Sequence, residues 1–598
     1  MESMRASNCV PKIRVGVSAL LLATGACASP DRVIEPVAAT PNLTVSTSVP
    51  DVPGSRRWSS QSDSALWQAV MDRDSLFAIG LKDPGQARGV ARGRPVLSRA
   101  NWANGIAHFA SRSGIHIVTA DSTHLPVILA RLDNVSILAA FRRLPFVDYV
   151  EPAKMHVMYF ASHCDDGFLG SGGSSGGSSS AQTNYGGPLN PVPLPGQPGL
   201  ADSIGNEFRA MQIDKAWFFS TGAGVTIGIT DTGVDTDPPS EFSTGYVNTG
   251  SSSGRSFWVD NLKSRTYPFW GTVPTCAHGT HIAGLAAAPR NGRSVVGAAY
   301  ASNLVEVYQA DGENPDVVLA GEAIHEAVQP PMNAKVVIMA WGEYNWYDNV
   351  SNEINAHYYN DDVMFVGAAG TCPFGSLCPQ MGSAVFPADK EEVLAVTGAN
   401  YPDGTRPYNM FDYGTKSGIL AYTNLPTTGF QTPTIVVSGG SSAATGVVGG
   451  IAALVRARYP SLNNRAVMDR LIQTAGSKCS DLYVTWRNSM VNALAAVGGQ
   501  CPVITGPAQV QITSPNRSVT ATYHVVATGD NSGQYTYSWT AGGGASGTTV
   551  TQTFWSNSTW TSYTDYASVT VTDPVTGFIV TRWFPVYVSL TCRPHTVC

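Results

Sequence analysis

Three short segments of the sequence contain the residue types of a nucleophilic hydrolase, in the order acid, base, hydroxyl. Asp231 follows an apolar run, His278 opens a His-Gly-Thr-His segment, and Ser442 follows Gly-Gly-Ser at the start of a small, apolar stretch. A carboxylate can orient an imidazole, and the imidazole can take the proton of a serine hydroxyl, which then attacks acyl groups. The order Asp, His, Ser is one of three in which this triad recurs on unrelated folds.

Each segment also has a simpler explanation. Asp231 could sit in a plain turn, and aspartic proteases need two Asp-Thr-Gly copies where this chain has one. His278 could be a buried or capping residue, or could pair with His281 on a metal, although the sequence lacks the His-Glu-x-x-His pattern there. Ser442 alone would be read as a helix N-cap. Only the three segments together favour catalysis.

The elements around these residues predict an α/β domain. Between residues 203 and 500, apolar strand-like runs alternate with helical patterns, as in a parallel sheet covered by helices on both faces. Functional groups collect at the carboxyl ends of such strands, and Asp231 lies at one of these ends. Ser442 is predicted to open a helix, where free N–H groups favour developing negative charge.

The three segments resemble the motifs of the subtilases, the subtilisin-like serine proteases. Residues 228–235 (Gly-Ile-Thr-Asp-Thr-Gly-Val-Asp) are similar to the aspartate motif, and residues 278–284 nearly reproduce the histidine motif. Residues 440–446 resemble the serine motif, with Ser441 in place of Thr and Gly446 in place of Pro. The resemblance implies a serine endopeptidase with Asp231, His278 and Ser442 as its triad. It also implies an acyl-enzyme intermediate.

Further site residues follow from the same resemblance. The family has an oxyanion asparagine after an Ala-Ala-Gly turn, and here that position is Thr371. A threonine hydroxyl can donate one hydrogen bond, so Thr371 is the candidate oxyanion donor. The segment Ala340, Trp341 and Gly342 stands where subtilases bind the substrate backbone, with Ala340 replacing the usual serine. Trp341 is expected to wall the specificity pocket, or else to be a buried aromatic.

The flanking regions are interpreted as separate domains. Residues 66–160 form a predicted α+β domain that resembles the inhibitor-type prodomains of subtilases, so the chain is expected to be a zymogen inhibited by its own prodomain. Residues 503–598 alternate apolar with Thr, Ser and Tyr, which predicts an all-β sandwich of immunoglobulin-like or polycystic-kidney-disease type. The intervening residues 161–202 are rich in Gly, Ser and Pro and read as a linker.

The N-terminus indicates export. Residues 1–28 combine basic residues, a short apolar run and Ala-Cys-Ala, which is typical of a secretory signal peptide. Cys27 could alternatively carry a lipid anchor. Residues 29–65 are expected to be a flexible leader. The ten cysteines suggest disulfides in an exported protein, and the partner of Cys276 is left open.

Composition limits the partners. The net charge of -6 and the absence of a basic cluster argue against nucleic acid, and no apolar run is long enough to cross a bilayer. Polypeptides are therefore the expected substrates. No cofactor or catalytic metal is expected, although structural calcium is possible. The alternative is a weakly active or inactive subtilase-like scaffold whose C-terminal domain serves in binding or adhesion, and Thr371 favours it.

Overall fold

A computed structural model describes most of the chain beyond its N-terminal leader. The described residues are 56–81, 114–121, 126–155, 185–260 without 195 and 198, 276–309, 316–371, 384–402, 404, 418–476 and 490–498, and 503–591 with six short gaps. The predicted signal peptide, Cys27 and the Gly-Ser repeat of the linker lie outside these residues.

The N-terminal domain is an antiparallel sheet with two helices. Its elements are β1 (Arg56–Arg57), a 3-10 helix (Trp58–Ser60), α1 (Asp63–Met71), β2 (Phe77–Leu81), β3 (Ile115–Asp121), β4 (Val127–Leu132), α2 (Val135–Arg142) and β5 (Val147–Pro152). The strand order is β3-β4-β2-β5. The described structure starts at Arg56, so residues 56–65 differ from the flexible leader predicted there. The side chain of Ser62 caps α1, whose Leu66 is fully buried.

The predicted linker also contains regular structure. The strands β6 (Leu189–Pro193) and β7 (Ala201–Gly205) form an antiparallel hairpin. Val192 of β6 packs against the core of the following domain. The flexible segment predicted over residues 161–202 therefore differs from the structure in its last part, where apolar residues between the prolines are anchored on the next domain.

The central domain has the predicted α/β architecture. Its seven-stranded sheet has the order β15-β14-β13-β11-β8-β10-β9, and neighbouring strands are parallel. The strands are β8 (Thr226–Asp231), β9 (Phe257–Asp260), β10 (Asn303–Tyr308), β11 (Val336–Met339), β12 (Asn345–Trp346), β13 (Met364–Ala368), β14 (Val393–Ala399), β15 (Gly418–Tyr422), β16 (Leu425–Thr428) and β17 (Ile435–Ser438). The helices are α3 (Asn206–Ala210), α4 (Ile213–Ala216), α5 (Thr244–Val247), a 3-10 helix (Gly250–Ser252), α6 (His278–Ala287), α7 (Val317–Val328), α8 (Asp348–Asn360), α9 (Gly440–Arg458), α10 (Asn464–Gln473) and α11 (Ala493–Gly498).

The sheet separates two apolar cores, because successive side chains of a strand point to opposite faces. Val336 and Ile338 of β11 pack in the core that contains α6 and α9. Val337 and Met339 pack in the other core, which contains α7, α8 and the apolar side of the N-terminal domain. Both faces of the strand are buried, which explains the continuous apolar run in the sequence.

The N-terminal domain contacts the central domain at the start of two helices. The Glu151 carboxylate accepts hydrogen bonds from the backbone N–H groups of Asp348 and Asn349 at 2.7 and 3.1 Å. The backbone N–H of Val317 donates to the carbonyl of Ala153 at 2.8 Å. Helix N-termini have N–H groups without partners inside the helix. Strand β5 and the residues after it therefore complete the first turns of α7 and α8.

The C-terminal region consists of strands. They are β18 (Val503–Thr505), β19 (Val510–Ser514), β20 (Ser518–His524), β21 (Val526–Thr528), β22 (Thr536–Trp539), β23 (Thr549–Trp555), β24 (Trp560–Thr572) and β25 (Ile579–Thr591), with one 3-10 helix at Ser532–Gln534. A four-stranded sheet has the order β19-β25-β24-β22, and β20 pairs with β23. Their buried side chains form a core of their own around Trp539 and Val569. Within the described residues, no helix has the length and apolar character needed to cross a membrane.

Candidate active site

Asp231 is the last residue of β8, an interior strand of the parallel sheet. Its side chain is fully buried. Its Oδ1 accepts a hydrogen bond from the backbone N–H of Thr232 at 2.7 Å and lies 2.8 Å from Nδ1 of His278. A carboxylate can only accept, so Nδ1 of the imidazole carries the proton and donates it. The lone pair of the neutral ring is then on Nε2.

The turn after β8 interlocks with the first turn of α6. The hydroxyl of Thr232 accepts from the N–H of Gly279 at 2.9 Å, and the N–H of Asp235 donates to the hydroxyl of Thr280 at 2.9 Å. A Cβ at Gly279 would lie 2.3 Å from the carbonyl oxygen of Gly233, so only glycine permits this approach. The small residues around the imidazole therefore fix its helix against the strand that carries the acid.

Helices α6 and α9 lie side by side because glycines let them approach. A Cβ at Gly446 would be 3.3 Å from Ile282, and one at Gly450 would be 2.7 Å from the carbonyl oxygen of Ala286. The two contacts are four residues apart on both helices, so α6 and α9 run in the same direction in a matched register. The glycine that replaces the family's proline at position 446 is thus a close-contact residue.

Ser442 and His278 stand four residues before the first of these contacts, one turn back on each helix. The matched register consequently puts Ser442 and His278 at corresponding positions, at the N-terminal ends of the two neighbouring helices. The hydroxyl of Ser442 donates to the carbonyl oxygen of Ala340 at 2.8 Å, directly beyond the end of β11. Hence the three sequence-predicted residues collect at one edge of the sheet.

The segment predicted to bind the substrate backbone lies next to Ser442. The side chain of Trp341 is fully buried, and its indole N–H donates to the carbonyl of Thr230 at 2.9 Å. It packs in the core on the α7 and α8 side of the sheet, so the pocket-wall role expected of this side chain does not fit its burial. Gly342 lies against the segment that contains Val385, whose side chain leaves no room for a Cβ.

Thr371 contacts Ser441 and lies three residues after the end of β13. Its Oγ1 accepts from the backbone N–H of Ser441 at 2.8 Å and lies 3.0 Å from the Ser441 hydroxyl. The N–H of Gly370 also donates to the Ser441 hydroxyl, at 3.2 Å. The contacts with Ser441 therefore hold Thr371 close to Ser442, the next residue and the predicted nucleophile.

Glu306 is a site residue that the sequence reasoning missed. It is fully buried on β10, and its Oε1 accepts from the N–H of Gly233 in the turn after Asp231 at 3.0 Å. Burial, followed by the nearby Asp231 carboxylate, raises the pKa of Glu306 well above its ordinary value. An acidic residue in the middle of an apolar run, Leu-Val-Glu-Val-Tyr, was the available signal.

Comparison with known proteins places the similarity in the central domain. Residues 222–499 match the model of the subtilase family. Thermitase of Thermoactinomyces vulgaris is 27% identical over 292 residues, which make up 48% of this chain and 94% of thermitase. Subtilisin Savinase of Lederbergia lenta is 30% identical over 280 residues, or 46% of this chain and 91% of that protein. Mycosin-3 of Mycobacterium tuberculosis is 26% identical over 367 residues, covering 52% and 75% of the two chains.

Because the pKa of Glu306 is raised in the native protein, the free energy of unfolding should fall as pH rises. Glu306→Gln should remove this loss. Above the ordinary glutamate pKa of 4.5, the unfolded chain releases this proton while the native chain keeps it, so native stability falls as pH rises towards the native-state pKa. The Gln variant keeps an oxygen acceptor for Gly233. The free energy of unfolding in urea should therefore be higher for the Gln variant than for the parent, and this difference should grow between pH 5 and pH 8. Both proteins carry Ser442→Ala in this comparison.

The matched control is Glu306→Leu, which removes the acceptor and strands a buried N–H group. It should lower the free energy of unfolding by about 1–3 kcal/mol. A difference between the parent and the Gln variant that does not change with pH would contradict the assignment.

Proposed function

Because the chain belongs to the subtilase family, we propose that it is an exported serine endopeptidase that uses Asp231, His278 and Ser442. The observation that carries this proposal is the 2.8 Å contact between the Asp231 carboxylate and His278 Nδ1, together with the register of α6 and α9. The match to the subtilase family model over residues 222–499 includes all three residues. Polypeptides are the proposed substrates.

Each triad residue has a role that its surroundings support. Asp231 accepts from Nδ1–H and stabilises the imidazolium as it forms. His278, with its lone pair on Nε2, takes the Ser442 proton while the serine oxygen attacks the peptide carbonyl, and then gives the proton to the leaving amine. Water hydrolyses the acyl-enzyme with His278 as base again. In the structure the Ser442 hydroxyl donates to Ala340, and it must turn towards the imidazole for this step.

The oxyanion is proposed to lie at the N-terminus of α9. N–H groups of a first helical turn have no partner within the helix, and Ser442 is the third residue of α9. Thr371 is proposed as the second donor. Its hydroxyl lies 2.8 Å from the backbone N–H and 3.0 Å from the hydroxyl of Ser441, the residue before the proposed nucleophile.

The N-terminal domain is proposed to act as an intramolecular inhibitor that is removed on maturation. Its contacts at the starts of α7 and α8, through Glu151 and Ala153, support a domain built to dock on the central one. Cleavage is expected after residue 155 and before residue 203. Export is supported by Cys276, which is buried and disulfide-bonded. The lipid anchor at Cys27, structural calcium and the immunoglobulin-like C-terminal domain remain predictions.

Ser442→Ala should abolish casein cleavage and labelling by a fluorophosphonate, while Ser441→Ala should still be labelled. Loss of the nucleophile costs on the order of 10⁴- to 10⁶-fold in turnover. The Ser441 variant keeps the backbone N–H that Thr371 accepts. Intact mass gives a second readout, because only the Ser442 variant should retain the N-terminal domain.

If Ser441→Ala lost the label and Ser442→Ala kept it, the nucleophile would be Ser441 and not Ser442. A wild-type protein that takes no label would favour the alternative of an inactive scaffold with a C-terminal binding domain.

Thr371→Val should lower kcat by about 10²- to 10³-fold and leave KM nearly unchanged, because an oxyanion donor acts in the transition state. The valine preserves shape and removes the hydroxyl. Steady-state kinetics on a peptide substrate measure the effect, and Thr371→Ser should recover much of the activity. A Val variant with parental kcat would show that Thr371 only supports Ser441.

A further inference from the structure

A second cluster of chemically active side chains lies between α7 and α8, apart from the triad residues. His325 is in the last turn of α7, and Glu353 and His357 are one turn apart on α8. Residues four apart share one face of a helix, so both α8 side chains are presented to α7. Among the described residues, these three bring ligand atoms within 4.8 Å of one another.

The distances within the cluster match the edges of a tetrahedron. His357 Nε2 lies 3.1 Å from Glu353 Oε2 and 3.2 Å from His325 Nδ1, and His325 Nδ1 lies 3.5 Å from Glu353 Oε2. Metal–ligand bonds of about 2.0–2.1 Å in a tetrahedral zinc site place ligand atoms about 3.3–3.4 Å apart. The three atoms are therefore spaced around a common point.

The orientation of His357 is fixed from outside the cluster. Its Nδ1 lies 2.7 Å from the Asp361 carboxylate and donates to it. The lone pair of the neutral ring is thereby on Nε2, the atom that faces Glu353 and His325. A carboxylate behind the distal nitrogen of a histidine is the usual arrangement in zinc sites, where it sets the tautomer and strengthens the ligand.

Oε2 of Glu353 is buried and lies within 3.5 Å of a ring nitrogen of both histidines. A buried carboxylate needs compensating positive charge, which a cation between the three ligand atoms would supply. We propose that His325, Glu353 and His357 bind a zinc ion, with solvent in the fourth position. The His325 side chain is 14% exposed, which gives solvent a route to the site.

The ligand chemistry selects zinc over the alkaline-earth ions. Two imidazole nitrogens and one carboxylate oxygen suit Zn²⁺, whereas Ca²⁺ and Mg²⁺ take oxygen ligands. The ion would join α7 to α8, the two helices whose first turns accept the N-terminal domain. Its role would be to hold this pair of helices together. The proposal departs from the expectation that the chain needs no metal, and it stands whether or not the chain is a peptidase.

Zinc titration of the purified full-chain Ser442→Ala protein, stripped with a chelator and followed with a fluorescent zinc indicator, tests the site. One Zn²⁺ per chain should bind, excess Ca²⁺ should not displace it, and the temperature of unfolding should rise. Glu353→Gln should lose this stoichiometric binding. Asp361→Asn, which changes a residue behind the ligand, should weaken binding by about 10- to 100-fold.

The matched control is His116→Gln, which changes an exposed histidine that also pairs with an aspartate, Asp133, in the N-terminal domain. It should bind zinc like the parent. If Glu353→Gln does not fold, the parent stoichiometry and the Asp361 variant decide the question. A parent that binds no zinc, or Glu353 and Asp361 variants that bind as tightly as the parent, would overturn the proposal and leave the cluster as an ion-pair network.

Discussion

The central domain depends on the burial of one carboxylate at the end of an interior strand. Asp231 has no exposed surface, and a buried charge is costly unless hydrogen bonds compensate for it. The N–H of Thr232 and the imidazole of His278 supply them. The position of α6 follows, because its first turn must reach the strand end closely enough for Gly279 to contact Gly233. Helix α9 then aligns on α6 through its glycines.

The two faces of the sheet consequently have different tasks. The face covered by α6 and α9 carries the histidine and the serine of the proposed triad. The opposite face, covered by α7 and α8, receives the N-terminal domain through Glu151 and Ala153. The proposed zinc ion would join these same two helices further along their length. A docking platform formed by two helix starts gains rigidity if the helices are also tied together at their other ends.

The sequence predicted correctly those elements whose hydrophobic pattern lies within one short segment. The apolar runs around Asp231 and after Ser442 predicted a strand and a helix, and the structure has β8 and α9 there. The family assignment of the central domain is confirmed by the match over residues 222–499. The parallel sheet follows from the alternation of the two patterns, since consecutive parallel strands need a crossover.

The rest required tertiary contacts that no local pattern encodes. Trp341 looks like a pocket wall from its place in the motif, yet the partner of its indole N–H comes from a different strand. Glu306 acquires its role from a turn 73 residues away. His325 and His357 stand on separate helices, and only packing shows that they meet. Residues 189–202 are predicted to be linker because of their prolines, but they contribute to a hairpin that packs on the next domain through Val192.

The most direct test of the central claim is the kinetics of Asp231→Asn on a peptide substrate. An amide at this position preserves the shape but can donate to Nδ1, so it favours the wrong tautomer of His278, and kcat should fall by about 10⁴-fold with little change in KM. Asp235→Asn, at the other buried acid of the same turn, should stay within about tenfold of the parent. An Asp231 variant that is equally active would contradict the account.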